Sequence, residues 1–269
     1  MTNANSQLIQ ATRKLRLSGL LASLDLRLSE AASHNLSHAQ FLELIFQDEL
    51  NVRHQRLIER RRKTADFRDT KSLEDFDWSF NPSIKRQPIY ELASGQFIRQ
   101  NQDVLLLGPP GLGKSHLAQA IGTQAIKMGF LVLYRSIFDL VRELQAEQSP
   151  AELERRLNRY LKADLLIIDD MGMKSLPPKA GEILLEIILR RYENRSTLMT
   201  SNRPIEEWGK LFNDVPAATA ILDRFLHHAF IITMNGRSYR LRHGAQRLGE
   251  ETPEIEEGGT STEAKKKKA

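Results

Sequence analysis

Residues 104–115 read VLLLGPPGLGKS. The apolar run at 104–107 predicts a short buried β-strand. A glycine, four further residues and Gly-Lys-Ser follow it directly, and a helical pattern comes next. In this order of strand, loop and helix, backbone N–H groups can wrap around phosphate groups. The stretch therefore predicts a phosphate-binding site within an α/β fold.

The predicted loop supplies the groups that bind phosphate. Its glycines allow backbone N–H groups to approach an anion, and the helix N-terminus adds a favourable dipole. We expect Lys114 to reach the terminal phosphates of a nucleotide and the Ser115 hydroxyl to coordinate Mg²⁺. The candidate nucleotide-binding residues are Gly108, Pro109, Pro110, Gly111, Leu112, Gly113, Lys114 and Ser115.

Short apolar runs alternate with amphipathic helical patterns after residue 104. Such alternation predicts a parallel sheet that helices cover on both faces. Asn235-Gly236 is a typical two-residue turn, so a hairpin and an arginine-rich strand at 237–242 are also expected. The predicted parallel strands lie at residues 104–107, 131–134, 165–168, 197–200 and 230–233.

Two adjacent acids, Asp169 and Asp170, follow the third apolar run. We expect Asp169 to hold hydrated Mg²⁺ together with Ser115, and Asp170 to orient or deprotonate the attacking water. Either acid could instead cap a helix N-terminus. Most enzymes with such a phosphate-binding loop carry Glu as the second of the two acids. The shorter side chain of Asp170 therefore leaves the rate of hydrolysis open.

Two further polar residues are candidates for the catalytic site. Asn202 follows the next apolar run and could hold the nucleophilic water against the terminal phosphate; the alternative is a plain loop residue. Arg224 ends an amphipathic helix and could serve the nucleotide of a neighbouring subunit as an arginine finger. The alternative for Arg224 is a surface ion pair with Asp223.

The first hundred residues are predicted to be mainly helical. Leucines at helical spacing mark residues 8–28, with Gly19 weakening the middle. A second helix should start at Ser37, where Gln40 completes a capping box, and run to about residue 63. Residues 64–88 are expected to be an extended connector that places aromatic side chains on a neighbouring surface, before a short helix at 89–99. The predicted domains are a helical N-terminal domain with the connector (1–80), an α/β domain (81–248) and a disordered charged tail (249–269).

Two basic stripes could follow the phosphates of nucleic acid. Their alternatives are a solvated helix C-terminus for the first and a plain amphipathic surface for the second. A histidine pair at 227–228 is expected to mark a helix end rather than a metal site. The candidate DNA-binding residues are Arg53, Arg56, Arg60 and Lys63 in the first stripe and Arg155, Arg156 and Arg159 in the second.

Composition restricts the classes of protein that remain. The chain has 269 residues, 41% hydrophobic and 27% charged, which is typical of a globular protein. Cysteine is absent, which excludes disulfides and thiolate chemistry. Its net charge of +5 permits a polyanionic partner. No apolar stretch is long enough for a membrane helix and no leader pattern is visible, so we expect a cytoplasmic location and no membrane partner.

Taken together, these motifs resemble an AAA+ ATPase of the DnaA and DnaC initiator and helicase-loader group. The phosphate-binding loop, Asp169-Asp170, Asn202, Asp223-Arg224 and the motif at 238–240 carry this resemblance. A narrower resemblance, over about residues 5–245, is to the IstB-type transposition helper ATPases of insertion sequences. It depends on the helical N-terminus, the connector segments at 65–68 and 73–78, and the run at 166–172.

The resemblance implies ATP and Mg²⁺ as cofactors and an AAA+ P-loop core preceded by a small all-α domain. It also implies a homo-oligomer with ATP sites at subunit interfaces, binding of double-stranded DNA and delivery of that DNA to a transposase. No helical lid is expected after the predicted hairpin, so Arg240 is the candidate for the missing sensor arginine. Two alternatives stay open: a DnaC-like loader that acts on single-stranded DNA, and a monomeric metabolic P-loop kinase.

Overall fold

A computed structural model of the chain describes residues 3–147 and 149–241. The predicted tail at 249–269 lies outside these residues, as does the end of the predicted strand at 237–242. The helices are α1 (Asn3–Lys14), α2 (Ser18–His34), α3 (His38–Ala65), α4 (Arg86–Ala93), α5 (Gln96–Arg99), α6 (Lys114–Lys127), α7 (Ile137–Gln145), α8 (Pro150–Lys162), α9 (Ala180–Arg191), α10 (Trp208–Phe212), α11 (Val215–Leu226) and a 3₁₀ turn (Ile205–Glu207). The strands are β1 (Asp103–Leu107), β2 (Val132–Ser136), β3 (Leu165–Met171), β4 (Ser196–Ser201) and β5 (Ala229–Thr233).

The five strands form one parallel sheet in the order β2-β3-β4-β1-β5. Strand β1 lies between its neighbours with Val104 opposite Leu198 on one side and Phe230 on the other. Strands β1, β2, β3 and β4 are almost completely buried, because helices cover both faces of the sheet. The predicted parallel α/β fold and all five predicted strands are confirmed.

Local signals explain the ends of the N-terminal helices. Ser37 caps α3 and forms the predicted capping box with Gln40, and the helix continues to Ala65. The helical region predicted around residues 8–28 belongs to two helices. The helical structure is interrupted between α1 and α2 and not at Gly19. A Cβ at Gly19 would lie 2.8 Å from Cβ of Val52, so this glycine allows α2 and α3 to approach closely.

Two local predictions are wrong. The helix expected at 89–99 is interrupted at Gly95, whose φ of 73° belongs to the left-handed region. The hairpin expected at Asn235-Gly236 is absent from the described residues, and the part of the predicted strand at 237–241 is not a strand there. The Asn81 side chain instead binds both the backbone N–H and the carbonyl of Arg237, at 3.0 and 2.9 Å.

Gly236 therefore serves a different purpose from a hairpin turn. A Cβ at this position would lie 2.4 Å from Oδ1 of Asn81. The missing side chain lets Asn81 hold the segment after β5 against the rest of the fold. Within the described part of the chain, no helix combines the length and apolar character that crossing a bilayer requires.

Candidate active site

A cavity of about 620 Å³ lies at the carboxyl ends of the strands, between the predicted phosphate-binding loop and the connector. This edge of a parallel sheet is the usual position of ligand sites in α/β folds. Gly111, Lys114 and Ser115 line one side of the cavity, and Asp169 and Asp170 line another. The structure therefore brings the loop and the paired acids into a single site.

Lys114 is buried beneath the loop, and its side chain is turned back on the loop. Its ammonium group donates hydrogen bonds to the carbonyl oxygens of Gly108 and Pro109, at 2.6 and 2.7 Å. Burial lowers the pKa of Lys114 to about 8; the negative charge of Asp169 opposes this shift, and the positive charge of Arg240 adds to it. The negative charge of a bound phosphate group would offset both the cost of burying the ammonium and its repulsion by Arg240.

Asp169 is completely buried at the end of β3, where hydroxyl groups surround its carboxylate. Ser115 Oγ donates a hydrogen bond of 2.9 Å to Asp169 Oδ1. The hydroxyls of Thr200 and Tyr134 donate to Oδ1 and Oδ2 of the same carboxylate. One hydroxyl and one carboxylate in contact are the oxygen ligands that Mg²⁺ prefers. Ser115 and Asp169 are thus placed to hold that ion directly or through water.

Asp170 lies one residue further, where the pairing of β3 with β4 is irregular. Its φ is 66°, in the left-handed region, and its N–H donates to Thr200 Oγ1 at 3.2 Å. This local backbone turns the second acid into the cavity. Its carboxylate is ion-paired there with Arg68, Nη1 to Oδ2 at 2.6 Å.

The connector forms a wall of the cavity. Phe76 packs against the loop so closely that a Cβ at Gly113 would lie 2.5 Å from its ring. The same ring meets His116 edge to face, with centroids 5.3 Å apart, and Phe80 meets Tyr239 in the same way at 5.2 Å. The prediction that this connector places aromatic side chains on a neighbouring surface is confirmed, and Phe76 is the one that packs on the phosphate-binding loop.

The segment after β5 covers the loop from the other side. Tyr239 N–H donates to the carbonyl oxygen of Gly111 at 3.0 Å, and a Cβ at Gly111 would lie 2.0 Å from Ser238 Oγ. Arg240 lines the cavity. The candidate sensor arginine is thus on the same cavity as Lys114.

The other two catalytic candidates have different positions. Asn202 follows β4 and lines the cavity. Arg224 does not line it: its half-exposed guanidinium pairs with Asp223 at 3.0 Å and lies over the Tyr192 ring at 5.6 Å. The ion pair is the alternative that the sequence left open, and it leaves Arg224 on the outer surface of its own subunit. The histidine pair follows the end of α11, as predicted, and Glu193 lies beside it on the surface.

The first basic stripe lies along one face of α3, where all four predicted residues line the same shallow depression. Arg53 is tied to the buried Glu49 at 2.6 Å, and Glu49 also accepts hydrogen bonds from the N–H groups that begin α2. Arg56 donates to Ser18 Oγ, and Lys63 lies 3.9 Å from Glu59. Glu49 therefore joins α3 to the start of α2, and Arg53 pairs with this buried carboxylate from the surface of the bundle.

The second basic stripe is divided between two environments. Arg156 pairs with Glu147 at 2.6 Å, whereas Arg155 reaches Glu152 only at 3.9 Å. Arg155 and Arg159 line a shallow depression on α8 together with Lys162. Arg155 and Arg159 thus present their charge to solvent more fully than Arg156.

Residues 10–247 match the family of IstB-like ATP-binding proteins. The chain belongs to this family. It is 38% identical over 229 residues to a Pseudomonas aeruginosa protein named as an ATP-binding protein of insertion sequence IS21, with 85% of this chain and 86% of that protein covered. It is also 38% identical over 221 residues to a protein named in the same way for insertion sequence IS5376 of Geobacillus stearothermophilus, covering 82% and 87%.

The chain also resembles solved structures in its fold. A crystal structure of DnaI matches with a TM-score of 0.50 and 25% identity, covering 62% of this chain and 89% of that one. AMPPCP-bound DnaA from Aquifex aeolicus matches with a TM-score of 0.52 and 20% identity, covering 71% and 58%. These similarities place the IstB-like fold among AAA+ cores, as the motifs predicted.

Proposed function

We propose that this protein is an ATPase that binds duplex DNA and assists the transposase of an insertion sequence. The observation that carries the proposal is the assembly of Lys114, Ser115, Asp169 and Asp170 around one cavity at the strand ends. Its relatives are named as ATP-binding proteins of insertion sequences, which supports both the nucleotide and the biological context.

ATP would take its place along the loop, with the loop N–H groups and Lys114 on the phosphates. Mg²⁺ would supply charge compensation between the phosphates, held by Ser115 and Asp169. Asp170 would orient the attacking water, and Asn202 would contact the terminal phosphate. Arg240 lies close enough to Lys114 to influence its charge and would add a further cation to the phosphates.

A neighbouring subunit would complete this site. Arg224 lies on the surface and outside the cavity of its own subunit, as a cation supplied to another subunit must. An arginine in that role stabilises the charge that develops on the transferred phosphoryl group. ATP binding would thereby favour assembly, and hydrolysis would reset the assembled complex.

Duplex DNA would contact the assembled subunits through their basic stripes. Arg60 and Lys63 at the end of α3, and Arg155 and Arg159 on α8, are the most available cations in these stripes. Such contacts are with phosphates and therefore independent of base sequence. Residues 1–80 would form the part that meets DNA and partner, residues 81–248 the ATPase, and the DNA-bound assembly would recruit the transposase.

Sedimentation analysis tests this proposal. The protein is compared with and without a duplex in ATP and in ADP, together with Arg224→Ala and the surface control Arg142→Ala. We expect large complexes on duplex in ATP, retained by the control and lost in ADP and in Arg224→Ala. A monomer that ignores both ATP and duplex would contradict the proposal, and preference for a single strand would favour a helicase loader.

A further inference from the structure

The Asp170 carboxylate already has a partner, which comes from outside the α/β core. Arg68, in the connector, donates from Nη1 to Asp170 Oδ2 at 2.6 Å. The Asp170 side chain is one-fifth exposed and that of Arg68 about half exposed, so the pair lies at the mouth of the cavity. A carboxylate held by a guanidinium has fewer oxygen lone pairs with which to align a water molecule.

Packing holds Arg68 in this position. Phe67, the preceding residue, meets the Tyr134 ring at 5.9 Å and packs against Gly122 of α6. The Arg68 guanidinium lies 6.0 Å from the centre of the same tyrosine ring, and Tyr134 in turn donates to Asp169. Arg68 thus contacts Asp170 directly and is connected to Asp169 only through Tyr134.

The same segment joins Arg68 directly to α3. Ala65, the last residue of the helix, is completely buried, and Asp66 ends the helix in the left-handed conformation with a φ of 60°. Asp66 is ion-paired with Arg135 at 3.1 Å. Two residues therefore separate the end of α3 from Arg68, and both are held by contacts with the core. A displacement of α3 large enough to break these contacts with the core would move Arg68.

We propose that Arg68 is a positioning residue that restrains Asp170 until duplex DNA binds to α3. This inference rests on the proposed function, since it needs ATP hydrolysis and DNA binding by α3. Without DNA, the ion pair keeps the carboxylate from the attacking water and hydrolysis is slow. With DNA on Arg60 and Lys63, the displaced end of α3 withdraws Arg68 and releases Asp170. The connector thereby links the DNA-binding face to the hydrolytic acid.

Steady-state ATP hydrolysis by the full chain, with and without duplex, tests this link. Arg68→Ala should raise turnover without DNA several-fold, towards the stimulated rate of the wild type, and should reduce stimulation by duplex to near one-fold. Arg68→Lys, which keeps the charge but loses the planar fork, should fall between the two. Arg142→Ala removes a more exposed ion-paired arginine, outside the cavity lining, and should behave as the wild type.

A second background distinguishes restraint from a structural role. In Asp170→Asn, adding Arg68→Ala should change turnover no further, because the two residues act as one pair. Affinity for a fluorescent ATP analogue and the thermal midpoint should be unchanged by Arg68→Ala. A lower rate in Arg68→Ala without DNA, or stimulation equal to that of the wild type, would overturn the inference.

The proposed function and this inference fail in different ways. If the wild type is stimulated by duplex and Arg68→Ala is stimulated to the same extent, only the role of Arg68 is wrong. If the wild type hydrolyses ATP equally well with and without duplex, the link from DNA to Asp170 is wrong while the ATPase remains. If neither the wild type nor Arg68→Ala hydrolyses ATP, both the ATPase function and this inference are wrong.

Discussion

The ammonium group of Lys114 lies 2.6 Å from the carbonyl oxygen of Gly108, the first residue of the loop it is expected to serve. Two loop carbonyls take the place of phosphate oxygens as its partners. Replacing these neutral acceptors by charged phosphates would strengthen each hydrogen bond. Binding of a nucleotide would therefore extend the side chain from the loop into the cavity.

ATP affinity should fall above pH 8. Burial lowers the pKa of Lys114 to about 8, so the free protein loses this proton above pH 8 and must recover it when phosphates bind. Linkage then weakens binding by up to about tenfold per pH unit. Titration with a fluorescent ATP analogue at several pH values measures the effect.

Lys114→Arg is the control for this pH dependence, because arginine keeps its charge throughout the range. Its affinity should change little between pH 7 and 9, within about twofold. Lys114→Ala should bind about 10- to 100-fold more weakly at pH 7, through loss of a charge-assisted contact. A wild-type affinity that is constant across pH 8 would contradict the assigned role of burial.

Mixing two inactive variants should restore activity. Lys114→Ala binds the phosphates weakly but keeps Arg224, and Arg224→Ala has the opposite defect. If Arg224 acts on a neighbour's nucleotide in a head-to-tail assembly, about a quarter of the sites in an equal mixture are complete. ATP hydrolysis by the mixture, compared with each variant alone, is the measurement. A mixture as inactive as its components would exclude a shared site.

Two arginines of the α3 stripe should respond differently to mutation. Arg60→Ala should reduce the slope of log affinity for duplex against log salt by about one, because one phosphate contact is lost. Arg53→Ala should instead lower the free energy of unfolding by about 1 kcal/mol, since the half-exposed Arg53 partners the buried Glu49. Salt-dependent binding and urea unfolding of both variants separate these effects.

Equal salt slopes in the wild type and Arg60→Ala would remove Arg60 from the proposed DNA contact. Unfolding of Arg53→Ala at the wild-type urea concentration would show that its pair with Glu49 does not stabilise the bundle. Arg142→Ala, an exposed arginine of α7, controls for the general change in charge.

The stability of the protein should depend on pH through Asp103, a residue of the sheet. This residue accepts a hydrogen bond of 2.7 Å from the N–H of Thr197, between β1 and β4. Burial raises the pKa of Asp103 to about 7, although the hydrogen bond from Thr197 and the charge of Arg191 both oppose the shift. The folded chain thus holds this proton more tightly than the unfolded chain, and stability is lost as pH rises towards 7.

Asp103→Asn should remove that loss. On going from pH 5 to pH 8, the free energy of unfolding of the variant should rise by at least about 1 kcal/mol relative to that of the wild type. Urea unfolding at both pH values measures the difference. Asp25→Asn, at an exposed position, should show no such gain. An equal difference between Asp103→Asn and the wild type at the two pH values would show that Asp103 is ionised throughout.

The fold could be predicted largely from local patterns. Each apolar run is long enough to form one strand of the buried sheet. The loop at 108–115 indicates that a strand precedes it and a helix follows it. The capping box at Ser37 and Gln40 is a contact between residues three apart, so the sequence contains all of it. Such local patterns predict the structure correctly because the tertiary packing around them favours the same local conformation.

Predictions were wrong or incomplete where distant residues decide the outcome. Asn81 holds Arg237 across 156 positions and overrides the local turn signal of Asn235-Gly236. Arg68 meets Asp170 across 102 positions, and a single arginine in a connector of mixed charge gives no local sign of that pair. The spacing of Arg53 correctly placed it on one helix face but could not reveal its buried partner, Glu49.

Two segments close the site: the connector, which precedes the α/β core in the sequence, and the segment after β5, which follows it. Leu73 and Trp78 of the connector belong to the same apolar core as β1. A truncated protein that begins at residue 81 would lose these side chains, the Phe76 wall and Arg68 together. Studies of nucleotide turnover therefore require the chain from the end of α3 onwards, because residues 81–248, proposed as the ATPase domain, lack part of the lining of the candidate site.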